Sequence, residues 1–341
     1  MIARIIIEPL EPLMFRGPGE FDPSARGIAT SAQSTGWPSP STLTGALISE
    51  LISMSTSFQQ SQAQSWDDTI ERGLALLGKV GIEWIRGPYI SSSHPGLVYV
   101  PLILEGRRIC LVDLNPLIDA FSRFLKREVS YDTFIRMIEA SARREPILVY
   151  SQRTGTALRT RDEGVKGVRE GFLYTESLVA VRRGFFAVEA QASPSIQNLR
   201  DRALKLGGEG RIARVKIDED MQLVNGLKAF KEGYAVLLSP FLMLETPDIE
   251  VSEERGMVVT YKGMDIEVPM GRVDVKGLGF SVNERRRKPM LPAIFEGSIV
   301  RVKSCQNVLQ LGLYGCLKNP SNEESLLAKI GFGSFYPLPG G

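Results

Sequence analysis

Three glycines in four positions, Gly207, Gly208 and Gly210, constrain this chain more than any other stretch. They stand in the run Leu206-Gly207-Gly208-Glu209-Gly210-Arg211. Residues without a Cβ let the backbone take positive φ and let another group approach the main chain closely. Ahead of the run, residues 199–206 carry apolar side chains at helical spacing, which predicts an amphipathic helix. Behind it, Ile212-Ala213-Arg214-Val215-Lys216-Ile217 alternates apolar and basic, which predicts a half-buried strand. A helix C-cap accounts for Gly207. It leaves Gly208, Gly210 and the adjacent Arg211 unexplained, so a loop that faces a ligand stands beside the cap as a reading. The loop is not a P-loop, because no GxxxxGK[ST] is present and the glycines follow the predicted helix instead of opening one.

At 341 residues, 43% hydrophobic and 23% charged, the chain has the composition of a globular protein of about two domains. A net charge of +2 excludes a protein that coats nucleic acid through its overall charge, so any such role falls to local patches. Cys110, Cys305 and Cys316 are scattered, form no CxxC pair and have no histidine near enough to complete a zinc set. They read as reduced, buried cysteines of a cytoplasmic protein, with no metal and no cofactor expected. The opening segment is apolar for a few residues and breaks at Pro9, which fits neither a signal peptide nor a membrane span.

Residues 3–8 predict a buried, isoleucine-rich first strand. The long connection to Pro40 carries Phe15, Arg16, Gly17 and Trp37, and a helix then opens with Ser41 or Thr42 as N-cap and Leu43, Ala46, Leu47 and Leu51 on one face. A second helix is expected over 66–77, paired strands over 81–90 and 97–104, and a helical pair over 115–126 and 131–143. His94, the only histidine, sits between the paired strands in a Ser-Ser-Ser-His-Pro-Gly turn. Histidine is the natural acid or base near neutral pH. No nucleophile or carboxylate is spaced to suit His94, which favours a turn without catalytic work.

Residues 151–186 hold seven basic against four acidic side chains, with Phe172 and Tyr174 interleaved. Arginine forks grip phosphates and aromatic faces stack on bases, so this mixture suits a ribonucleotide chain. A solvated hairpin carries the same residue types.

The block Arg153-Thr154-Gly155-Thr156-Ala157-Leu158-Arg159-Thr160-Arg161 through Lys166, Arg169, Glu170-Gly171-Phe172-Leu173-Tyr174 resembles the extended hairpin of the repeat-associated (RAMP) proteins of CRISPR systems. The glycine loop at 206–211 is similar to the one those proteins place after the second helix of a ferredoxin-like fold. Gly331-Phe332-Gly333-Ser334-Phe335-Tyr336-Pro337-Leu338-Pro339 resembles their C-terminal end. PLEPLMFR near the start and PSPSTLTGAL at the first helix fit best the third-subunit family of the Cmr (type III-B) effector complex.

That resemblance implies an α+β chain of two ferredoxin-like βαββαβ domains in tandem, residues 1–224 with inserted helices and the hairpin, and residues 225–341. It implies a subunit without catalysis that binds the 5′ repeat tag of the CRISPR RNA beside the large polymerase-like subunit and other RAMP subunits. The RNA-binding set would be Arg153, Arg159, Arg161, Lys166, Arg169 and Tyr174 on the hairpin, with Gly207, Gly208, Gly210 and Arg211 in the loop. Two other readings stand beside it: a metal-independent repeat-RNA endoribonuclease using His94, as in some relatives, and a purely structural adaptor. In the second half, residues 245–267 carry seven acids against two bases, a surface for a protein partner and not for RNA. The cluster Glu284-Arg285-Arg286-Arg287-Lys288 reads as a solvated turn or a basic patch.

Overall fold

In the computed structural model the chain is a mixed α/β protein built on several antiparallel sheets. The structure describes residues 1–15, 31–32, 34–54, 66–93, 97–104, 108–143, 147–160, 166–220, 223–252, 256–278, 280–281, 286–287 and 289–339. His94 and Arg161 lie outside them, as do Arg285 and Lys288.

A seven-stranded sheet forms the first half, in the order Arg108–Asp113, Val98–Leu104, Ile82–Ser92, Gly184–Ala192, Ile2–Pro9, Ile212–Asp218, Ala203–Lys205. The isoleucine-rich start of the chain is an interior strand beside the central Gly184–Ala192, as β-branched side chains favour. Ala3, Ile5 and Ile7 turn to one face and are fully buried against the helix Pro40–Ser53, through Leu43 and Leu47, and the helix Trp66–Val80, through Ile70 and Leu77. The first helix starts two or three residues earlier than the sequence suggests: Ser39 is the N-cap, accepting from the Thr42 N–H, and Pro40 fills the first helical position, where a missing N–H costs nothing.

The other face of this sheet packs on the second half of the chain and carries a row of charges. Arg86, Glu189, Arg4 and Asp218 stand opposite one another in register across the four central strands. Arg86 and Glu189 are fully buried. Arg4 holds Asp218 through Nε at 2.8 Å and Nη2 at 2.6 Å.

The second half is built on a six-stranded sheet in the order Asp248–Ser252, Gly256–Tyr261, Met264–Met270, Ile299–Val302, Gly233–Leu237, Phe335–Pro337. The helix Asn322–Lys329 packs against it, opened by a capping box in which Ser321 and Glu324 satisfy each other's main-chain N–H. Main-chain carbonyls of the second half accept hydrogen bonds from the first: Trp37 Nε1 donates to Leu238 O at 3.0 Å and the Ile103 N–H to Gly297 O at 2.8 Å. The C-terminal glycine segment, Gly331 to Phe335, is buried; its Gly331 carbonyl accepts from the Ser239 and Ser334 hydroxyls, both at 2.7 Å.

Two expectations are corrected here. Cys305 and Cys316 are not reduced but joined in a disulfide across a separation of 11 residues, in which Cys110 takes no part. Residues 199–206 do not form a helix: a short 3₁₀ turn, Pro194–Leu199, leads into the strand Ala203–Lys205, which pairs with Ile212–Arg214 at the sheet edge. The apolar spacing there is equally met by Leu199, Leu204 and Leu206 all turning under the sheet, and each is buried. Tertiary burial overrode local helix propensity.

Candidate nucleic-acid interface

The glycine-rich stretch closes as a tight loop between the edge strand and Ile212–Asp218, with the Leu206 N–H donating to Arg211 O at 2.7 Å. Its three glycines do different things. Gly207 has φ of +80°, and a Cβ there would stand 2.4 Å from the Met14 carbonyl oxygen, so only glycine fits. The Gly208 N–H donates to that same carbonyl at 2.9 Å. Gly210 also has positive φ, +65°, but nothing lies within 4 Å of where its Cβ would be. Gly207 and Gly208 therefore seat the loop on the chain's own backbone, and Gly210 is the position open to an approaching group.

The backbone they seat against is the short strap from Glu11 to Phe15 that follows the first strand. On its other side the strap meets the extended hairpin, Leu148–Thr160 with Lys166–Val181. Leu13 and Val179 exchange both main-chain hydrogen bonds, at 2.7 and 2.8 Å, and Met14 is buried against Leu178. The strap thus ties the glycine loop to the base of the hairpin. Within the hairpin Arg153 stands opposite Glu176, Gly155 opposite Tyr174, Arg159 opposite Gly167 and Thr160 opposite Lys166. The register shifts between Thr156, opposite Leu173, and Leu158, opposite Val168, so the extra residues 169–172 lie on the return strand. The return strand also takes Ser31–Ala32 alongside it in parallel, at Thr175 and Glu176.

Glu11 is the residue that sequence reasoning passed over. Its carboxylate accepts from Arg211 Nη1 at 2.9 Å and from the Ile212 N–H at 3.0 Å. The Arg211 hydrogen bond first, the Ile212 amide, and the more distant charges of Arg211 and Arg153 hold the Glu11 carboxyl below its usual range. Arg211 is thus held on the Glu11 carboxylate, and Arg153 acts on it only through its charge at longer range. The signal was present, since Glu11 belongs to the PLEPLMFR stretch, but nothing in its spacing tied it to an arginine some two hundred residues on. Arg153 is exposed, whereas the Arg211 side chain is 14% exposed. Among the described residues no cluster of His, Cys, Asp or Glu is arranged to hold a metal ion. No described helix is long and apolar enough to cross a membrane.

Of the expected RNA-binding set, the structure brings Arg153, Gly207, Gly208, Gly210 and Arg211 to this one place. Arg159, Lys166, Arg169 and Tyr174 lie farther along the hairpin strands, toward its tip, and Arg161 lies outside the described residues.

Comparison with known proteins bears on the same architecture. The family model for the CRISPR-associated protein Cas_Cmr3 matches residues 5–104 and 118–336. The CRISPR system CMR subunit Cmr3 of Saccharolobus solfataricus is 31% identical over 307 residues, 88% of this chain and 86% of that one. A chain of the type III-B Cmr-beta structure bound to cognate target RNA superposes with a TM-score of 0.68 at 27% identity, covering 97% of this chain and 96% of that one. A chain of the same assembly bound to target RNA and AMPPnP gives 0.67 at 27% identity, over 96% and 94%. This chain belongs to the Cmr3 family of CRISPR-associated proteins.

Proposed function

We propose that this chain, as a subunit of a type III-B CRISPR effector complex, binds the 5′ repeat tag of the CRISPR RNA and docks on the large polymerase-like subunit, without catalysis of its own. One observation carries the reading: the strap Glu11 to Phe15, with Arg211 held on Glu11, locks the glycine loop to the base of the hairpin, where Arg153 is exposed. A tag threaded over the strap meets the open main chain at Gly210 and an arginine on each flank. Glu11 holds the Arg211 fork in a fixed direction before RNA arrives, and such preorganisation removes part of the ordering cost of binding. Arg159, Lys166, Arg169 and Tyr174 extend the same path along the hairpin by phosphate contact and base stacking, and Arg161, outside the described residues, completes the set. A fixed 5′ end sets the register of the guide.

The two sheets fit two ferredoxin-like units in tandem, residues 1–224 and 225–341. The strand order of each follows that fold, with the 3₁₀ turn Pro194–Leu199 in place of the first unit's second helix and strands in place of the second unit's first helix. The endoribonuclease alternative rests on His94, outside the described residues, and no observation favours it over tag binding.

The test is the double variant Arg153→Ala with Arg211→Ala, assayed for tag-RNA affinity against salt in the assembled complex. Neutralising a phosphate releases counterions, so the deficit is greatest at low salt and shrinks as salt rises. On a single strand the salt slope falls by about 0.7 for each phosphate the variant no longer neutralises. An equal deficit at every salt concentration contradicts phosphate binding by these arginines.

A further inference from the structure

The six-stranded sheet ends on an open edge. Its outermost strand, Asp248–Ser252, pairs with Gly256–Tyr261 on one side, and on the other no described strand pairs with it. Val251 is 83% exposed and Ile249 49% exposed. In register they stand opposite Met257 and Val259, and Val259 stands opposite Ile266; Val259 and Ile266 are fully buried. The apolar face that forms the core therefore runs outward across the sheet and is left in solvent at its last strand. Asp248 and Glu250 alternate onto the opposite face, and both are exposed. Lys262, at the end of the neighbouring strand, is engaged by Glu324 at 3.0 Å and Glu245 at 3.6 Å. Open edges are normally blocked by lysine, proline or a bulge, because a row of unpaired N–H and C=O groups is a template for another strand. The strand Asp248–Ser252 contains no lysine or proline, and its register with its neighbour is unbroken.

We propose that Asp248–Ser252 accepts a β-strand from a neighbouring protein subunit, one in which lysine or arginine alternates with apolar residues. The charge of the strand selects that occupant. Phosphates are repelled by Asp248, Glu250 and Glu245, which excludes RNA. A second copy of this chain is a poorer occupant, because antiparallel self-pairing about the strand centre sets Glu250 opposite its own copy, like charges directly opposite are destabilising, and the strand offers no cation to either acid. A partner strand of basic and apolar residues answers both faces, with main-chain hydrogen bonds providing affinity and the alternate side chains specificity. The inference rests on the reading that this chain works inside an effector complex, but not on where it holds RNA.

Hydrogen exchange of the chain alone and assembled with its purified partner subunits tests it, combined with zero-length carboxyl–amine crosslinking. The expected result is amide exchange over 248–252 slowed at least tenfold on assembly, with links from Glu245, Asp248 or Glu250 to a lysine of one partner. Ile249→Lys with Val251→Lys places charge on side chains already in solvent; it should abolish that protection while tag-RNA crosslinks to the glycine loop persist. Exchange that is unchanged by assembly overturns the proposal. So does protection that appears in the free chain as its concentration rises, which marks a self-dimer, or protection brought by RNA alone. Loss of RNA crosslinks with edge protection intact would instead count against tag binding.

Discussion

Arg86 and Glu189 stand directly opposite each other on adjacent strands, both fully buried, and do not pair. Arg86 reaches into the second half of the chain, and Glu189 holds the short helix that leads into it. Arg86 donates from Nη1 to Ala328 O at 2.6 Å, among the last carbonyls of the helix Asn322–Lys329. Glu189 accepts from the Leu223 and Val224 N–H groups, both at 2.7 Å, at the start of the short helix Leu223–Leu227, and from the Tyr89 hydroxyl at 2.9 Å. A cation at a helix C-terminus and an anion at a helix N-terminus are each the favourable sign. Burial first, and the Glu189 carboxylate after it, push the Tyr89 hydroxyl well above its ordinary range. Arg86 is less well provided for: its Nε and Nη2 have no acceptor, and the Trp84 ring centroid lies 5.6 Å away.

The two charges therefore predict unequal costs. Glu189→Ala leaves two main-chain donors and a hydroxyl buried without an acceptor, a loss of about 3–5 kcal/mol. Arg86→Met removes a charge with no counter-charge and keeps most of the packing, so its cost is smaller than that of Glu189→Ala. Urea unfolding of both variants checks the order, and a larger loss for Arg86→Met contradicts it.

Gly207 and Gly210 should respond to alanine in different ways. Gly207→Ala combines positive φ with a clash on the Met14 carbonyl and should unseat the loop, lowering both stability and tag-RNA affinity. Gly210→Ala meets no neighbour, so its stability loss is limited to the left-handed backbone, about 1 kcal/mol. Its RNA affinity should nevertheless fall, because a methyl group then stands where the phosphate approaches. Thermal melts run beside binding assays separate the two outcomes.

Acid should loosen the strap. The Glu11 pKa is lowered in the folded chain, chiefly by Arg211 and then by the Ile212 amide. The unfolded chain thus binds more protons across that interval, and stability rises with pH there. The contribution is complete above the ordinary glutamate value and is lost as pH falls through the lowered folded value. Glu11→Gln should abolish this part of the acid dependence, read as exchange of the Ile212 amide between about pH 3 and pH 5.

Removing the disulfide should cost about 3 kcal/mol by the chain-entropy estimate for a loop of this length. Cys305→Ser compared with the parent in urea, and thiol counting of the unfolded chain with and without reductant, check it. One reactive thiol without reductant and three with it are expected from the single bridge.

Local signals were legible in the sequence and long-range ones were not. The helix Tyr131–Arg143 was readable from its periodicity. The first strand announced itself through its isoleucines. The row Arg86, Glu189, Arg4, Asp218 was invisible, because cross-strand register joins segments about one hundred or more positions apart and leaves no mark in local spacing. The bridge between Cys305 and Cys316 was missed for a related reason: a disulfide needs its Cα atoms close, and that follows from the fold around the helix Val308–Leu311, not from sequence separation. At the candidate site the glycines and arginines stood out by composition. Their division into Gly207 and Gly208, which seat the loop, and Gly210, which is open, depended on where Met14 came to lie.

The central claim is that the strap, the glycine loop and the hairpin base hold the 5′ tag. Ultraviolet crosslinking tests it most directly, using a CRISPR RNA photoreactive in its 5′ tag and this chain assembled with its partner subunits, with the crosslinked peptides identified by mass spectrometry. The account predicts crosslinks within residues 153–174 and 207–211. Full assembly with no crosslink to this chain would contradict it and leave a structural adaptor.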